Sequence, residues 1–489
     1  MDFTTLEFIF VFLPIFLAVY LLSKQPWRLH VILAANGLFI LASPYPKANL
    51  FWLSIVSIIT YTTGLFIDIN RQKGSIAKLA AWTGILSILF TLSAFKALAI
   101  GVGDRYTNLY FCEKLENLFL CNARGFIVPL GISYITFQSI SYIIDVFKNQ
   151  IPHEKNPIKF ITYTLYFPKL ISGPIVNYKN INKQLQVLGA GVDDIAAGLR
   201  RILVGIIKRI LIANQVGIVA NAVFNMPQSG ITPKYAWLGL LAYSIQIYLD
   251  FSGYSDIAIG LARVMGIKLP ENFNYPYIAQ SITDFWRRWH ITLSIWFREY
   301  IFFPLERKRF KFFGRQMNIL IVFLLTGLWH GFNFNFIIWG LIHGVFIAFE
   351  STDGGRKWLN KISRPIRHIY TLVIVLTGWV FFRSPDTDFA FSFIGKLLGN
   401  TKNISQVPFS ITTPLPFIEP TFILAISVGI ISSIPFFSIF TILKEKFLKK
   451  PAAFMAYQIF QDVILILIFI VSIAAQLAGS FAPNIYARF

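Results

Sequence analysis

Charge is scarce in this sequence. Only 14% of its 489 residues are Asp, Glu, Lys or Arg, where a soluble domain carries about a quarter. Together with 55% hydrophobic residues and a mean hydropathy of +0.61, that shortage excludes an ordinary soluble enzyme. Cysteine is almost missing, at two residues, so a Cys/His zinc cluster is not available. No His-Glu-x-x-His and no glycine loop of Walker or Rossmann spacing occurs, so neither a metal site nor a nucleotide-driven pump is expected. Long-period repeats and low-complexity tracts are also lacking. Acids are the scarcer sign, 23 against 44 basic residues, for a net charge of +21. The basic residues gather in short loops, which the positive-inside bias explains, and no nucleic-acid partner is expected.

What is abundant is long apolar sequence. Runs able to cross a hydrocarbon core of about 30 Å lie at 6–23, 50–69, 80–100, 200–224, 236–264, 319–350, 421–443 and 457–478. Shorter or interrupted ones lie at 29–42, 126–144, 160–176 and 368–382. These predict an all-α polytopic membrane protein with about eleven or twelve crossings. One membrane-embedded domain over 1–489 is expected, its functional core near 126–350 and extra helices near 365–489. The first residues, Met-Asp-Phe-Thr-Thr-Leu-Glu, are acidic where a signal peptide is basic. Lys24 and Arg28, then Arg71, Lys73 and Lys78, then Lys444, Lys446, Lys449 and Lys450 mark cytoplasmic loops, whereas 383–420 is mixed in charge. This pattern puts both termini outside. Cys112 and Cys121 then share an outer loop, where a disulfide and two separate thiols are equally compatible with the spacing.

Polar chemistry at membrane depth appears in four places. Residues 129–145 set Ser133, Thr136, Gln138 and Ser141 at helical spacing, which suits a polar helix face or a re-entrant segment. Pro168, Gly173 and Pro174 break the 167–174 stretch, which reads as buried irregular backbone or a surface loop. Asp250 and Asp256 sit in an apolar run, each costing roughly 2.5–3.5 kcal/mol on insertion. Six residues turn a helix by about 600°, so the two point roughly 120° apart and form no carboxylate dyad. Hydrogen bonding to histidine, pairing with arginine or lining a wet passage are their expected roles, with Tyr254 between them.

The fourth place is 281–344. Ser281 with Asp284 three residues later marks a helix start. Trp286, Trp289, Leu293, Trp296 and Tyr300 then repeat every three or four residues as one aromatic face. Arg287, Arg288 and Arg298 interleave with it, as on an interfacial helix. That reading leaves His290 unexplained. Further on, the apolar run is interrupted by Trp329-His330-Gly331-Phe-Asn333-Phe-Asn335. This reads as a broken helix, the kind of place where membrane proteins put ligand sites. Gly327-Leu-Trp-His330-Gly331 returns as Gly340-Leu-Ile-His343-Gly344. Thirteen residues are about 1300° of helix, so His330 and His343 face different ways unless the break reorients them. Imidazole, with a pKa near 6.5, accepts and returns a proton at neutral pH. It therefore suits acyl transfer from a thioester to a hydroxyl.

These blocks in combination (129–145, 167–174, 248–260, 271–277, 281–298, 327–331 and 339–344) resemble the membrane-bound O-acyltransferases, and within them the bacterial branch that serves alginate O-acetylation. The resemblance covers most of the chain. It implies that His330 is the catalytic residue and His290 a second functional histidine. Asp250, Tyr254, Asp256, Trp286, Arg287, Arg288, Trp289, Arg298, Trp329, Asn333 and His343 are expected to line a tunnel or bind substrate. The family's tilted helices enclose such a tunnel. It also implies a plasma-membrane location and no permanently bound cofactor. The donor is expected to be acetyl-CoA or an acyl carrier thioester, the partner an extracytoplasmic SGNH-type acetyltransferase, and the acceptor an envelope polysaccharide. After Pro304 the chain departs from the family, with a more basic and glycine-poor 305–314 segment. Arg307 to Lys311 would there meet the donor or anionic lipid. A D-alanyl relay for teichoic acid is the near alternative. A transporter passing protons through Asp250, Asp256 and the histidines is the distant one, and no inverted repeat supports it.

Overall fold

A computed structural model describes residues 1–100, 121–122, 125–126, 128–308, 314–402, 419–437 and 451–478. Cys112, Arg309, Lys311 and the lysines at 444–450 lie outside these residues. Helix dominates, as it must where lipid offers no hydrogen bonds to open backbone. Among the described residues the only strand pairing is a two-residue ladder, Cys121–Asn122 with Gly125–Phe126. Among the described residues six helices are long and apolar enough to cross a membrane: Pro46–Ile69, Gly74–Lys96, Val192–Phe224, Phe334–Ser351, Arg364–Arg383 and Phe454–Ala478. Phe8–Leu22, Ile132–Phe147 and Pro420–Ser432 are shorter apolar helices. The helix Pro233–Val264 covers the 236–264 run, and two of the runs expected to be short or interrupted are so. The 126–144 run yields a short helix, and the 160–176 run breaks into the helices Pro157–Thr164 and Phe167–Leu170.

The chain divides into two compact units. The first comprises Met1–Ile202 and Ser255–Pro270. Its Ile132–Phe147 helix is buried along nearly its whole length, starting from Gly131 at φ 71. Only glycine suits Gly131, because a Cβ there would also collide with the Leu170 carbonyl. The broken 167–174 stretch lies inside protein, not on the surface. Buried Asn36 accepts from the Phe167 N–H (2.9 Å) and donates to the Thr162 carbonyl (3.3 Å). One asparagine thereby satisfies backbone that the break would orphan. Fully buried Lys169 donates to Gln138 Oε1 at 2.6 Å and stands 3.7 Å from the centre of the Tyr163 ring. Gln138 on the hydroxyl face is thus one anchor of this polar core. Asp256 pairs with Arg201 at 3.0 Å.

A polar knot in the first unit titrates. Tyr142 OH meets His153 Nδ1 at 3.0 Å and accepts from the Glu154 N–H at 2.9 Å. Glu154 takes Lys159 at 2.9 Å and the Tyr178 hydroxyl. Burial lowers the His153 pKa below its usual 6.5, against the opposing pull of Asp68 and Glu154. Burial alone would raise Glu154, but hydrogen bonds from Tyr178, the Asn156 N–H and Lys159 bring it below its usual 4.5. A depressed histidine pKa means that the unfolded chain binds the proton better. Stability is therefore lost as pH falls below about 6.5. Thermal unfolding followed between neutral and mildly acidic pH checks this: the wild-type midpoint should fall further than that of His153→Phe.

The second unit comprises Leu203–Tyr254 and the described residues from Glu271 onward. Arg209 and Asp250 pair there at 2.9 Å, with side chains 2% and 7% exposed. The core joins Trp289, Trp339, Trp379, Phe285 and Phe382 to the aliphatic faces of the surrounding helices.

Candidate active site

The second unit brings three histidines into one aromatic nest. The Arg315–His330 helix ends at His330, with the Gly331 N–H still bonded to the Gly327 carbonyl. After a three-residue turn Asn333 caps the helix Phe334–Ser351 by accepting from the Asn335 N–H. Asn335 donates to the Ser384 carbonyl at 2.9 Å, and Asn333 to that of Pro385 at 3.4 Å. Both asparagines of the break therefore tie it to the end of the Arg364–Arg383 helix. Close packing explains the repeated glycines. A Cβ at Gly327 would strike the Phe336 carbonyl, and one at Gly340 the Phe323 carbonyl, so the two helices cross backbone to backbone. The break does reorient the histidines. Trp339 lies edge-on to His330 at 5.0 Å and against His343 at 5.3 Å.

His330 is 6% exposed. Its ring touches Trp329 (4.6 Å), Phe382 (4.9 Å) and Phe336 (6.0 Å) besides Trp339. Trp329 in turn faces His290 at 6.5 Å. The order His290, Trp329, His330, Trp339, His343 is a ladder of alternating imidazole and indole.

His290 departs from the sequence expectation of one continuous helix. The helix Ile282–Arg288 ends there, Trp289 is extended, and His290 adopts φ 42 before the helix Ile291–Phe297 begins. A left-handed residue without a glycine costs on the order of 1–2 kcal/mol and persists only when its surroundings enforce it. Asn272 enforces it. Its carbonyl accepts from the Ile291 N–H (3.0 Å), and its Oδ1 from the Thr292 N–H (3.2 Å) and hydroxyl (2.9 Å). The same Oδ1 meets His290 Nδ1 at 3.1 Å. An oxygen there accepts, so Nδ1 carries the proton and Nε2 keeps the lone pair of the neutral ring. Phe251 packs edge-on to this imidazole at 4.7 Å.

The start of this helix is held as firmly. Ser281 accepts from the Asp284 N–H at 2.9 Å, as its spacing predicted. Buried Glu350 accepts from the N–H groups of Ile282 (2.7 Å) and Thr283 (2.8 Å), the Thr283 hydroxyl (2.6 Å) and Tyr370 OH (3.2 Å). A carboxylate on two orphan donors at a helix N-terminus is a strong fixture. Glu350→Ala would leave those donors buried, at a cost of about 1–3 kcal/mol. We expect a lower unfolding temperature and slower acyl transfer, checked by thermal denaturation and turnover on the same preparation.

The remaining candidates separate into near and far. Trp286 and Trp289 belong to the nest: Trp286 faces His343 at 5.4 Å, and Trp289 packs on Trp379 at 4.9 Å. Arg287 and Arg298 are exposed, and half-buried Arg288 pairs with Asp284 at 2.9 Å. Asp250 is held by Arg209, whose guanidinium also lies 5.7 Å from the Tyr254 ring. Asn272, Glu350, Phe382 and Gly378 join the site without having been singled out. The available signals were a lone acid at the end of an apolar run, for Glu350, and the 271–277 block, for Asn272. Among the described residues no group of three His, Cys, Asp or Glu could hold a metal ion.

Known proteins are similar to this chain in sequence. The sequence profile described as MBOAT, membrane-bound O-acyltransferase family, matches residues 45–362, more than half of the chain. A probable alginate O-acetylase of Pseudomonas aeruginosa is 37% identical over 390 residues, covering 80% of this chain and 73% of its own length. A peptidoglycan O-acetyltransferase of Helicobacter pylori is 33% identical over 432 residues, covering 81% and 80%. A teichoic acid D-alanyltransferase of Bacillus subtilis is 33% identical over 273 residues, covering 52% and 68%. With its broken helix at His330, its family profile and relatives matched along four-fifths of its length, this chain is a multi-pass membrane protein and belongs to the membrane-bound O-acyltransferase family.

Proposed function

We propose that this O-acyltransferase passes an acetyl group from a cytoplasmic thioester, acetyl-CoA or an acyl carrier, toward the O-acetylation of an exported envelope polysaccharide. His330 is the base. The observation that carries this reading is the position of His330 at a helix end, 6% exposed and walled by four aromatic rings. The imidazole removes the proton of the acceptor hydroxyl, and the oxygen attacks the thioester carbonyl. The C–S bond breaks as the C–O bond forms, and the imidazolium returns its proton to the thiolate. Burial excludes the water that would hydrolyse the thioester.

His290 is a second functional group, its Nε2 lone pair set by Asn272. An extracytoplasmic SGNH-type partner completes delivery to the polysaccharide, and the chain sits in the plasma membrane with its N-terminus outside. The acetyl reading is favoured over D-alanyl by the relatives. The acetyl-transferring ones cover four-fifths of the chain, the D-alanyl one about half. Incubating the purified chain and its partner with labelled acetyl-CoA, and separately with a D-alanyl carrier protein, tests the choice: label should reach acceptor hydroxyls from the acetyl donor. Transfer from the D-alanyl carrier alone would overturn it.

A further inference from the structure

The break at His290 is held by one short stretch of chain, Asn272-Phe273-Asn274. A break leaves the carbonyl that ends one helix and the N–H that starts the next without helical partners. This stretch supplies both. The Asn274 N–H donates to the Arg288 carbonyl at 2.9 Å, and the Asn272 carbonyl accepts from the Ile291 N–H at 3.0 Å. Between them Phe273 packs edge-on against Trp289 at 5.1 Å and against Phe251 at 4.9 Å. Phe251 in turn lies against the His290 imidazole. Three consecutive residues thus fix the chain before, at and after the histidine.

The Asn272 side chain acts at the same place in a second way. Its Oδ1 accepts from the Thr292 N–H and hydroxyl and lies 3.1 Å from His290 Nδ1. A backbone N–H can only donate, so it is the oxygen of the amide, and not its NH2, that faces this group of atoms. Turning the amide over would orphan the Thr292 N–H, and Thr292 is 3% exposed, so the cost of the lost bond holds the oxygen in place. A neutral imidazole carries its proton on either nitrogen. Here the oxygen that caps Thr292 also selects Nδ1. Asn272 and His290 are each 1% exposed, so bulk water does not compete for that choice.

We propose that Asn272 is a positioning residue for acyl transfer, acting through His290: its Oδ1 fixes the tautomer of the imidazole, while its main chain fixes the turn that aims the ring. The inference rests on the reading of His290 as a second functional group. The two actions are separable, because the bonds from Asn272 to Ile291 and from Asn274 to Arg288 use main-chain atoms alone. Truncating the Asn272 side chain therefore frees the ring and leaves the turn braced.

The test uses the full-length protein with its partner and acetyl-CoA as donor. Asn272→Ala should lower kcat roughly ten- to a hundredfold, the range seen when a histidine loses the group that orients it, with KM for acetyl-CoA unchanged. His290→Asn removes the imidazole and tolerates left-handed backbone. On that background Asn272→Ala should change kcat by no more than about twofold. The same fold loss on both backgrounds would overturn the proposal, because a mere brace acts whether or not the imidazole is present. Wild-type kcat in Asn272→Ala would overturn it too. Wild-type turnover in His290→Asn alone would instead refute the functional reading of His290. If Asn272→Ala does not fold, nitrogen NMR of the wild-type protein in bilayers, labelled at its histidine rings, decides. The His290 signals, assigned by their absence from His290→Asn, should show a protonated Nδ1 and a bare Nε2. A proton on Nε2 would overturn the proposal.

Discussion

Replacing His330 with Ala should reduce acyl transfer by a factor on the order of 10²–10⁴, the usual contribution of a positioned general base. The fall should appear in kcat with little change in KM. His330 stands at the end of its helix in a nest of aromatic rings, so its removal deletes the proposed proton acceptor while the rings around it stay in place. His330→Gln, which keeps hydrogen-bonding capacity but cannot shuttle a proton, should be equally inactive. The variant should remain folded, because the crossing it adjoins is set by Gly327 and Gly340 against backbone carbonyls. Turnover with a saturating thioester donor, on protein checked for monodispersity, reads this directly.

The second large effect concerns stability. Asp250→Ala removes the carboxylate that pairs with the Arg209 guanidinium, which is 2% exposed. Breaking a buried pair by removing one partner costs roughly 3–5 kcal/mol, since the other charge stays desolvated. The single variant should therefore denature at a much lower temperature or fail to accumulate in the membrane. The double replacement Arg209→Met with Asp250→Leu removes both charges and should recover most of the loss. Retained acyl transfer in that double variant would show that the pair braces the helices and moves no proton, which also removes one leg of a proton-relay transporter.

Much of the site could be read from residues in order. The mid-membrane Trp-His-Gly with two asparagines announced the break at His330, and Ser281 with Asp284 announced the cap that is seen. Pairing with arginine was one of three roles expected for Asp250 and Asp256, though not which arginines: Arg209 and Arg201 are 41 and 55 residues away from them. What escaped was tertiary. The aromatic repeat from Trp286 to Tyr300 fits a single helix, and only Asn272, 18 residues upstream, turns the backbone at His290. No periodicity carries that information, because Asn272 acts from outside any helix through one backbone carbonyl and one side-chain oxygen. Gly378 escaped for a related reason. In sequence it is one glycine in an apolar helix, and its value lies in the side chains that its missing Cβ would meet. The echo of Gly-Leu-x-His-Gly suggested two unrelated directions for His330 and His343. The break instead brings both imidazoles against the Trp339 ring.

We propose that His330 drives acyl transfer from a thioester to a hydroxyl. The most direct test places the purified chain and its partner in vesicles, with acetyl-labelled thioester on the cytoplasmic side and hydroxyl acceptor on the other. Wild-type protein should deliver label to the acceptor, and His330→Ala should leave it on the thioester. Equal delivery by the two proteins would contradict the account.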